Sequence, residues 1–183
     1  MGLDSKQKAV IRWAIPAVAI TLVALVALLV WIPNRALPVD ETGARLAWAL
    51  PWTLLPMLTL MVSIMRVANH RFATPEDIDG SGLTTGTARV LVLRAILQNT
   101  LEQAILAVMA YLVWSVTMPV PWLGVIPVAA VLFTIGRVLF AGGYERGAAG
   151  RAMGFGLTAY ATFGMLITLA AALGLRLLGR LLD

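Results

Sequence analysis

The chain has 183 residues, of which 60% are hydrophobic and 13% are charged, and its mean hydropathy is +0.88. A water-soluble globule of this size cannot bury so much apolar surface, so the composition excludes disordered, fibrous and ordinary soluble proteins and indicates a polytopic membrane protein. The absence of cysteine excludes disulfides, cysteine-ligated zinc and a protein thiol nucleophile. The formal charge of +5 comes from Lys and Arg scattered singly between apolar runs, which argues against nucleic-acid binding.

Five apolar runs are each long enough to cross a hydrocarbon core, and together they predict an all-α integral membrane bundle. Their predicted bounds are 13–32, 46–67, 90–114, 122–141 and 152–178. The first run follows a basic tail, exceeds the length of a signal-peptide core and precedes no small-residue cleavage site, so we expect an uncleaved anchor. Pro51 and Pro56 in the second run and Pro127 in the fourth predict local kinks.

The connections between the runs differ in basic charge, which predicts their orientation. With five spans, one side of the membrane carries eight basic residues: Lys6, Lys8, Arg12, Arg66, Arg71, Arg89, Arg146 and Arg151. The other side carries four: Arg35, Arg45, Arg176 and Arg180. This asymmetry predicts a multi-pass protein with a cytoplasmic N-terminus, in what we expect to be a bacterial inner membrane. The tryptophans near the span ends, such as Trp13, are expected at the headgroup level.

The third run contains five polar side chains: Arg94, Gln98, Asn99, Glu102 and Gln103. At about 100° per residue these positions occupy one half of a helix. An ionised side chain at mid-membrane costs roughly 2.5 to 3.5 kcal/mol, so this half is expected to face the bundle or a wet cavity. The pattern favours a binding or catalytic site, and the alternative is a polar network that joins helices.

Further charges lie in the fourth run and in the glycine-rich turn after it. Arg137 is expected to neutralise Glu102 across helices, as a structural ion pair. Tyr144 and Arg151 bracket the turn, and Arg151 is predicted in the first turn of the last helix, where free N–H groups and the helix dipole favour an anion. These are conditions that lower a thiol pKa. Because the chain has no cysteine, such a thiol has to arrive as a ligand.

Three segments resemble the MAPEG family, the membrane-associated proteins of eicosanoid and glutathione metabolism. GRVLFAGGYERGAAGR, at 136–151, is similar to the segment that joins the family's third and fourth helices. RAILQNTLEQ, at 94–103, is similar to the arginine, asparagine and glutamate signature of its second helix, although Arg94 lies five residues before Asn99 where the family has four. MRVANHRFATPEDIDG, at 65–80, resembles the end of the first helix and the following loop.

The resemblance implies a four-helix MAPEG-like domain at 46–183, with residues 1–45 adding a tail, an extra transmembrane helix and a loop. It also implies that Arg151 activates the thiol of glutathione and that Tyr144, Asn99, Glu102, Arg66 and Asp77 contact the tripeptide. Glutathione carries two carboxylates, an ammonium and a thiol, so its site needs cations, an anion and hydrogen-bond partners. That inventory adds Arg94, Gln98 and Arg137 to the expected glutathione-binding residues.

The function implied is a membrane-bound glutathione-dependent transferase or peroxidase. Glutathione is the expected co-substrate, and no metal is expected. The expected partners are membrane lipids, a lipophilic electrophile and two further copies of the chain in a homotrimer. Gly150 and Gly154 form a pair of small residues that could allow close helix approach in such a trimer. One alternative is a non-catalytic scaffold or lipid-binding protein of the same fold. A transporter is a third hypothesis, because intramembrane charges also mark ion pathways. His70 is predicted to be a solvated loop residue rather than a base.

Overall fold

A computed structural model describes residues 4–31, 37–80 and 82–182, without the side chains of 28–31, 181 and 182. The described chain forms five helices: α1 Ser5–Trp31, α2 Thr42–Ala73, α3 Ala88–Thr117, α4 Val125–Gly143 and α5 Gly147–Leu182. The predicted end of the first span at Ile32, and Arg35 in the charge comparison, lie outside the described residues. The predicted all-α class is confirmed.

Four stretches are long and apolar enough to cross a membrane, and the last of them, Val120–Arg180, has 61 residues. At 1.5 Å per residue this stretch is about three times longer than a hydrocarbon core needs. It contains both α4 and α5. These helices pack antiparallel, as two contacts show: Gly136 faces Thr158, and the later Gly143 faces the earlier Gly150. The hairpin therefore supplies two crossings, and the chain is a multi-pass membrane protein.

The bundle has an apolar core between α3, α4 and α5, where Tyr111, Phe133 and Ile126 are fully buried. Helix α1 packs on the outside of the α4–α5 hairpin. Its Trp13 lies near Gly150 in the α4–α5 turn region, whereas Ala24 lies near Pro127 at the start of α4. The beginning of α1 is therefore at the same end of the bundle as the α4–α5 turn.

Glycines set the distance between α4 and α5. A Cβ atom built on Gly136 would lie 2.5 Å from the Thr158 hydroxyl oxygen, and one on Gly154 would collide with the backbone of Phe140. A Cβ on Gly150 would lie 2.6 Å from the carbonyl oxygen of Gly143. The Gly150 and Gly154 pair therefore permits close approach of helices within one chain, so it does not by itself support the predicted contact between chains.

Two local predictions also differ from the structure. Pro127 falls in the first turn of α4, where its missing N–H removes no helical hydrogen bond, so the predicted kink lacks its cause. His70 belongs to α2, which continues to Ala73, and it is half-buried rather than a solvated loop residue. The cause is the acidic side chain of Asp77, which lies 3.0 Å from His70 and gives the polar end of α2 a partner.

Candidate functional site

Arg137 is the centre of the polar interior. Its side chain is only 4% exposed and connects three helices, since Nη1 donates to Asn99 Oδ1 of α3 at 2.8 Å and Nε donates to Thr158 Oγ1 of α5 at 3.1 Å. The guanidinium also lies over the Phe140 ring, 4.4 Å from its centroid. Its Nη2 atom is buried and has no hydrogen-bond partner in the described part of the chain. A buried donor without a partner leaves room for one more acceptor.

The polar half of α3 divides into two parts. Asn99 and Gln103 turn inward, and Gln103 is 5% exposed. Arg94, Gln98 and Glu102 form an exposed row at four-residue spacing, which we call the α3 stripe, and Gln98 donates to Glu102 at 2.9 Å. The ion pair expected between Arg137 and Glu102 is therefore wrong: these two described side chains face different directions, and Asn99 is the α3 residue that reaches Arg137.

A line of stacked side chains runs from Arg137 to the start of α5. Phe140 packs edge-on against Tyr144 with 5.4 Å between ring centroids, and the Arg151 guanidinium lies over the Tyr144 ring, 4.5 Å from its centroid. Gly147, with φ +80°, provides the left-handed residue at which the chain turns into α5. Arg151 is the fifth residue of α5, so it lies just after the first turn rather than within it.

An open cavity of about 480 Å³ separates α2 from α4, and we call it the α2–α4 groove. Arg66 and Arg137 supply its cationic part, and Thr59, Ser63 and Thr134 also line it, with hydroxyl groups that donate to carbonyl oxygens of their own helices. Most of its remaining lining is aliphatic: Leu55, Leu58, Val62, Val138 and Ala141. A cavity with a charged part and an apolar wall suits a molecule that has both characters.

A second cavity of about 540 Å³ lies against α2 and α3, and we call it the α2–α3 groove. Its polar lining is Arg71, Arg94 and Gln98. Arg71 was not predicted as a site residue, because its place near the end of an apolar run suggested only a role in topology. The signal that could have found Arg71 is its spacing from Arg66. Five residues further along α2 it points in a different direction around the helix, so it lines the cavity next to α3 whereas Arg66 lines the cavity next to α4.

The MAPEG family model matches residues 46–171 of the chain. The chain belongs to the MAPEG family. No curated protein and no solved structure matches it. The matched region contains α3, α4 and all of the residues predicted to bind or activate glutathione, and α1 lies outside it. The suspected family and the membrane helical bundle are thereby confirmed.

Asp77 of this MAPEG chain lies in the α2–α3 connection, beside a small cavity that Arg94 also lines, and away from the set around Arg137. It is 1% exposed, and it accepts hydrogen bonds from the Thr87 backbone N–H at 2.8 Å and the Thr87 hydroxyl at 2.6 Å. Burial by itself raises the pKa of Asp77, but the hydrogen bonds from Thr87 and the nearby His70 outweigh it, so the pKa is below its usual value. Both carboxylate oxygens are engaged, which favours a role in fixing the α2–α3 connection over direct ligand contact.

The structure therefore brings the predicted site residues of this MAPEG chain together in two places, with Asp77 in the α2–α3 connection near Arg94. Asn99, Arg137, Tyr144 and Arg151 form one continuous set, Arg66 joins it through the α2–α4 groove, and the α3 stripe lies on the outside of the single chain. Among the described residues, no cluster of three or more His, Asp or Glu side chains is arranged to hold a metal ion. The available groups are chiefly cations, amides and hydroxyls, which bind anions and polarise thiols.

Proposed function

We propose that this MAPEG protein is a membrane-bound glutathione-dependent transferase or peroxidase. The observation that carries the proposal is the position of the Arg151 guanidinium. Arg151 is the fifth residue of α5, and its guanidinium stacks on the ring of Tyr144, which precedes the helix. A cation beside a helix N-terminus favours the thiolate over the thiol, and the aromatic ring holds that cation in place. The α2–α4 groove, which reaches Arg137 at the other end of the stacked side chains, has an apolar wall that suits a lipophilic substrate.

The donor set fits glutathione. Arg137 has one buried N–H group without an acceptor in the described chain, as a carboxylate-binding arginine would have before its ligand is present. Arg66 lines the same groove and offers a second cation. Glu102 is exposed and accepts only the Gln98 amide among the hydrogen bonds described, so it is free to take the ammonium group. Asp77 is left out of direct contact and positions α3 instead.

The proposed chemistry is nucleophilic. Glutathione supplies the sulfur, and Arg151 stabilises that sulfur as a thiolate, which is the reactive form. In a transfer reaction a bond forms between the sulfur and the electrophilic atom, and the leaving group departs with the electron pair of the broken bond. With a hydroperoxide the O–O bond breaks instead: the sulfur takes the hydroxyl group and becomes a sulfenic acid, and the departing alkoxide takes up a proton, equivalent to the one the thiol lost, and leaves as an alcohol. A second glutathione then completes a disulfide and releases water.

The α3 stripe supports a site that is completed by a neighbouring copy. Arg94, Gln98 and Glu102 are exposed along the first half of a helix that is long and apolar enough to cross the membrane. An ionised side chain facing lipid at mid-membrane, where Glu102 lies, costs roughly 2.5 to 3.5 kcal/mol, so a protein surface or a wet cavity has to cover the stripe. We propose the homotrimer that the family resemblance implies, with the stripe of one copy facing the next.

The basic connections support an orientation of the bundle in the membrane. The start of α1 and the α4–α5 turn lie at one end of the bundle, and the basic residues are concentrated in the connections assigned to that end. We propose that this end is cytoplasmic, in a bacterial inner membrane, where glutathione reaches Arg151 directly.

The test is a titration of glutathione into the purified protein in neutral detergent, followed by thiolate ultraviolet absorbance. A saturable signal is expected for the wild type, and Arg151→Ala should abolish it together with turnover of a lipophilic electrophile. Arg180→Ala removes the same charge at the far end of α5 and should change neither. If the wild type gives no saturable signal and no heat of binding, the enzyme proposal fails and the non-catalytic MAPEG scaffold replaces it.

A further inference from the structure

A separate groove lies where α1 packs beside the end of the α4–α5 hairpin. Its volume is about 340 Å³, and its lining combines Trp13 of α1 with Leu139 and Met153 of the hairpin. Gly150 and Gly154 form part of its floor, and Arg146 lies at the turn end. We call it the α1 groove. Because it depends on α1, it lies partly outside the MAPEG match, and Tyr144 and Arg151 do not line it.

The α1 groove opens toward the lipid. Trp13 is 47% exposed and Leu139 is 42% exposed, so the apolar walls are not covered by the chain itself. Trp13 lies eight residues after the start of α1, a depth at which the indole ring favours the boundary between headgroups and acyl chains. An elongated apolar surface at this boundary accommodates an acyl chain whose headgroup lies at the turn end.

The charge of the α1 groove is positive and uncompensated. Arg146 is exposed and makes no hydrogen bond or ion pair within the described residues, because its neighbour Glu145 pairs with Arg89 instead. No Asp or Glu is among the residues that line the groove. Lys6 lies seven residues before Trp13, which places it on the same face of α1, about two turns nearer the helix start.

We propose that the α1 groove binds an anionic phospholipid. Arg146 and Lys6 contact the headgroup phosphate and its net negative charge, and Trp13, Leu139 and Met153 pack against the first acyl chain. The charge favours an anionic over a zwitterionic headgroup, since a basic residue at the membrane surface attracts anionic lipid. The apolar walls favour a lipid over a free phosphate ion, which would use the cations alone. Bound lipid would thereby fasten α1, the helix outside the family match, to the catalytic hairpin.

Native mass spectrometry of the delipidated protein in neutral detergent tests this proposal. Phosphatidylglycerol and phosphatidylcholine with identical acyl chains are added separately, and the wild type is expected to retain phosphatidylglycerol about fivefold more tightly. Arg146→Gln should bring this ratio close to one. Arg12→Gln is the matched control, because it also removes one arginine charge at this end of the bundle. Arg12 lies on α1 about 100° around the helix from Trp13, away from the groove, so this variant should keep the ratio.

A second variant tests the apolar half of the site. Leu139→Trp fills the exposed wall without changing charge, and it should weaken binding of both lipids equally. Equal losses in Arg146→Gln and Arg12→Gln would show general surface attraction and overturn the proposal, as would a wild-type ratio of one. Displacement of the lipid by millimolar inorganic phosphate would indicate a simple anion site and overturn it too. None of these readouts depends on thiolate formation, so this proposal and the enzyme proposal can fail separately.

Discussion

At the level of single residues, Asp77 connects the end of α2 to the start of α3. Thr87, the N-cap of α3, donates to Asp77 from its backbone and its hydroxyl, and the Thr87 hydroxyl oxygen accepts from the Val90 N–H. His70 of α2 lies within 3.0 Å of the same carboxylate. Arg71 and Arg94 face the small cavity beside it. The carboxylate thus holds the two cationic helices of the α2–α3 groove at a fixed distance.

This contact should make stability depend on pH. Because the pKa of Asp77 is lowered by folding, the stabilisation is complete above the unfolded pKa of about 4 and is lost as the pH falls through the lower folded value. The midpoint of thermal unfolding is expected to fall as the pH drops from about 5 to about 2.5. Asp77→Asn should lower the midpoint at pH 5 and remove this part of the pH dependence. An Asp77→Asn protein with the wild-type pH profile would contradict the assignment.

Single-residue predictions from the sequence named side chains that the structure brings together, but they did not give the partner of Arg137. Tyr144 and Arg151 were chosen from a local turn, whose geometry short-range sequence largely determines, and the structure does place Arg151 on Tyr144. The partner of Arg137 required knowing which part of the polar half of α3 faces α4. Helical angles place Asn99 and Glu102 on the same half but leave the rotation of the helix open, and the burial of Ile96, Thr100 and Gln103 on the inner side of α3 decides it.

At the level of helices, the contact between α4 and α5 depends on small residues. At Gly154 an added Cβ would lie 2.7 Å from the Gly136 carbonyl oxygen and equally close to the Phe140 Cα, so the helices would have to separate. Gly154→Ala is expected to destabilise the bundle by about 1 to 3 kcal/mol. Gly164→Ala, in the same helix with nothing within 4 Å of the added atom, should be neutral or stabilise by up to about 1 kcal/mol. Unfolding in increasing SDS measures both; equal stability of the two variants would refute the close contact.

The helices themselves were predictable because apolar run length determines which segments can span a membrane. Their ends were less so. Helix α2 continues past the predicted Val67 to Ala73, since polar residues such as His70 complete the helix outside the apolar run and find partners in the connection. Helix α4 instead begins later than predicted, after a short 3-10 turn at Val120–Gly124 that positions the carbonyl oxygen of Trp122 for the Trp114 indole. Side-chain contacts with the adjoining connections, seven and eight residues along the chain, therefore accompany these ends.

At the level of the whole molecule, the α3 stripe is the feature that a single chain leaves unexplained. Helix α2 also exposes large apolar side chains, including Leu54, Met57 and Met61. These tolerate lipid, whereas Arg94 and Glu102 do not. Composition predicts the membrane environment, but it does not indicate which face meets lipid and which meets another subunit. The structure places ionised side chains on an outer face of α3, which is why that face is the one we propose to meet another copy.

If copies of the chain cover the α3 stripe, a bulky side chain within it should prevent assembly. Native mass spectrometry in mild detergent is expected to give three copies of the 19.6 kDa chain for the wild type, and Gln98→Trp should shift the mass toward one copy. Ile167→Trp places the same ring on an exposed apolar position of α5, 70% exposed, and should leave three copies. A wild type that remains a single copy would instead require water to reach the stripe, because Arg94 and Glu102 cannot stay ionised against lipid without cost. In that case the glutathione site would have to be built from one chain, with Arg71, Arg94 and the α2–α3 groove as its cationic part.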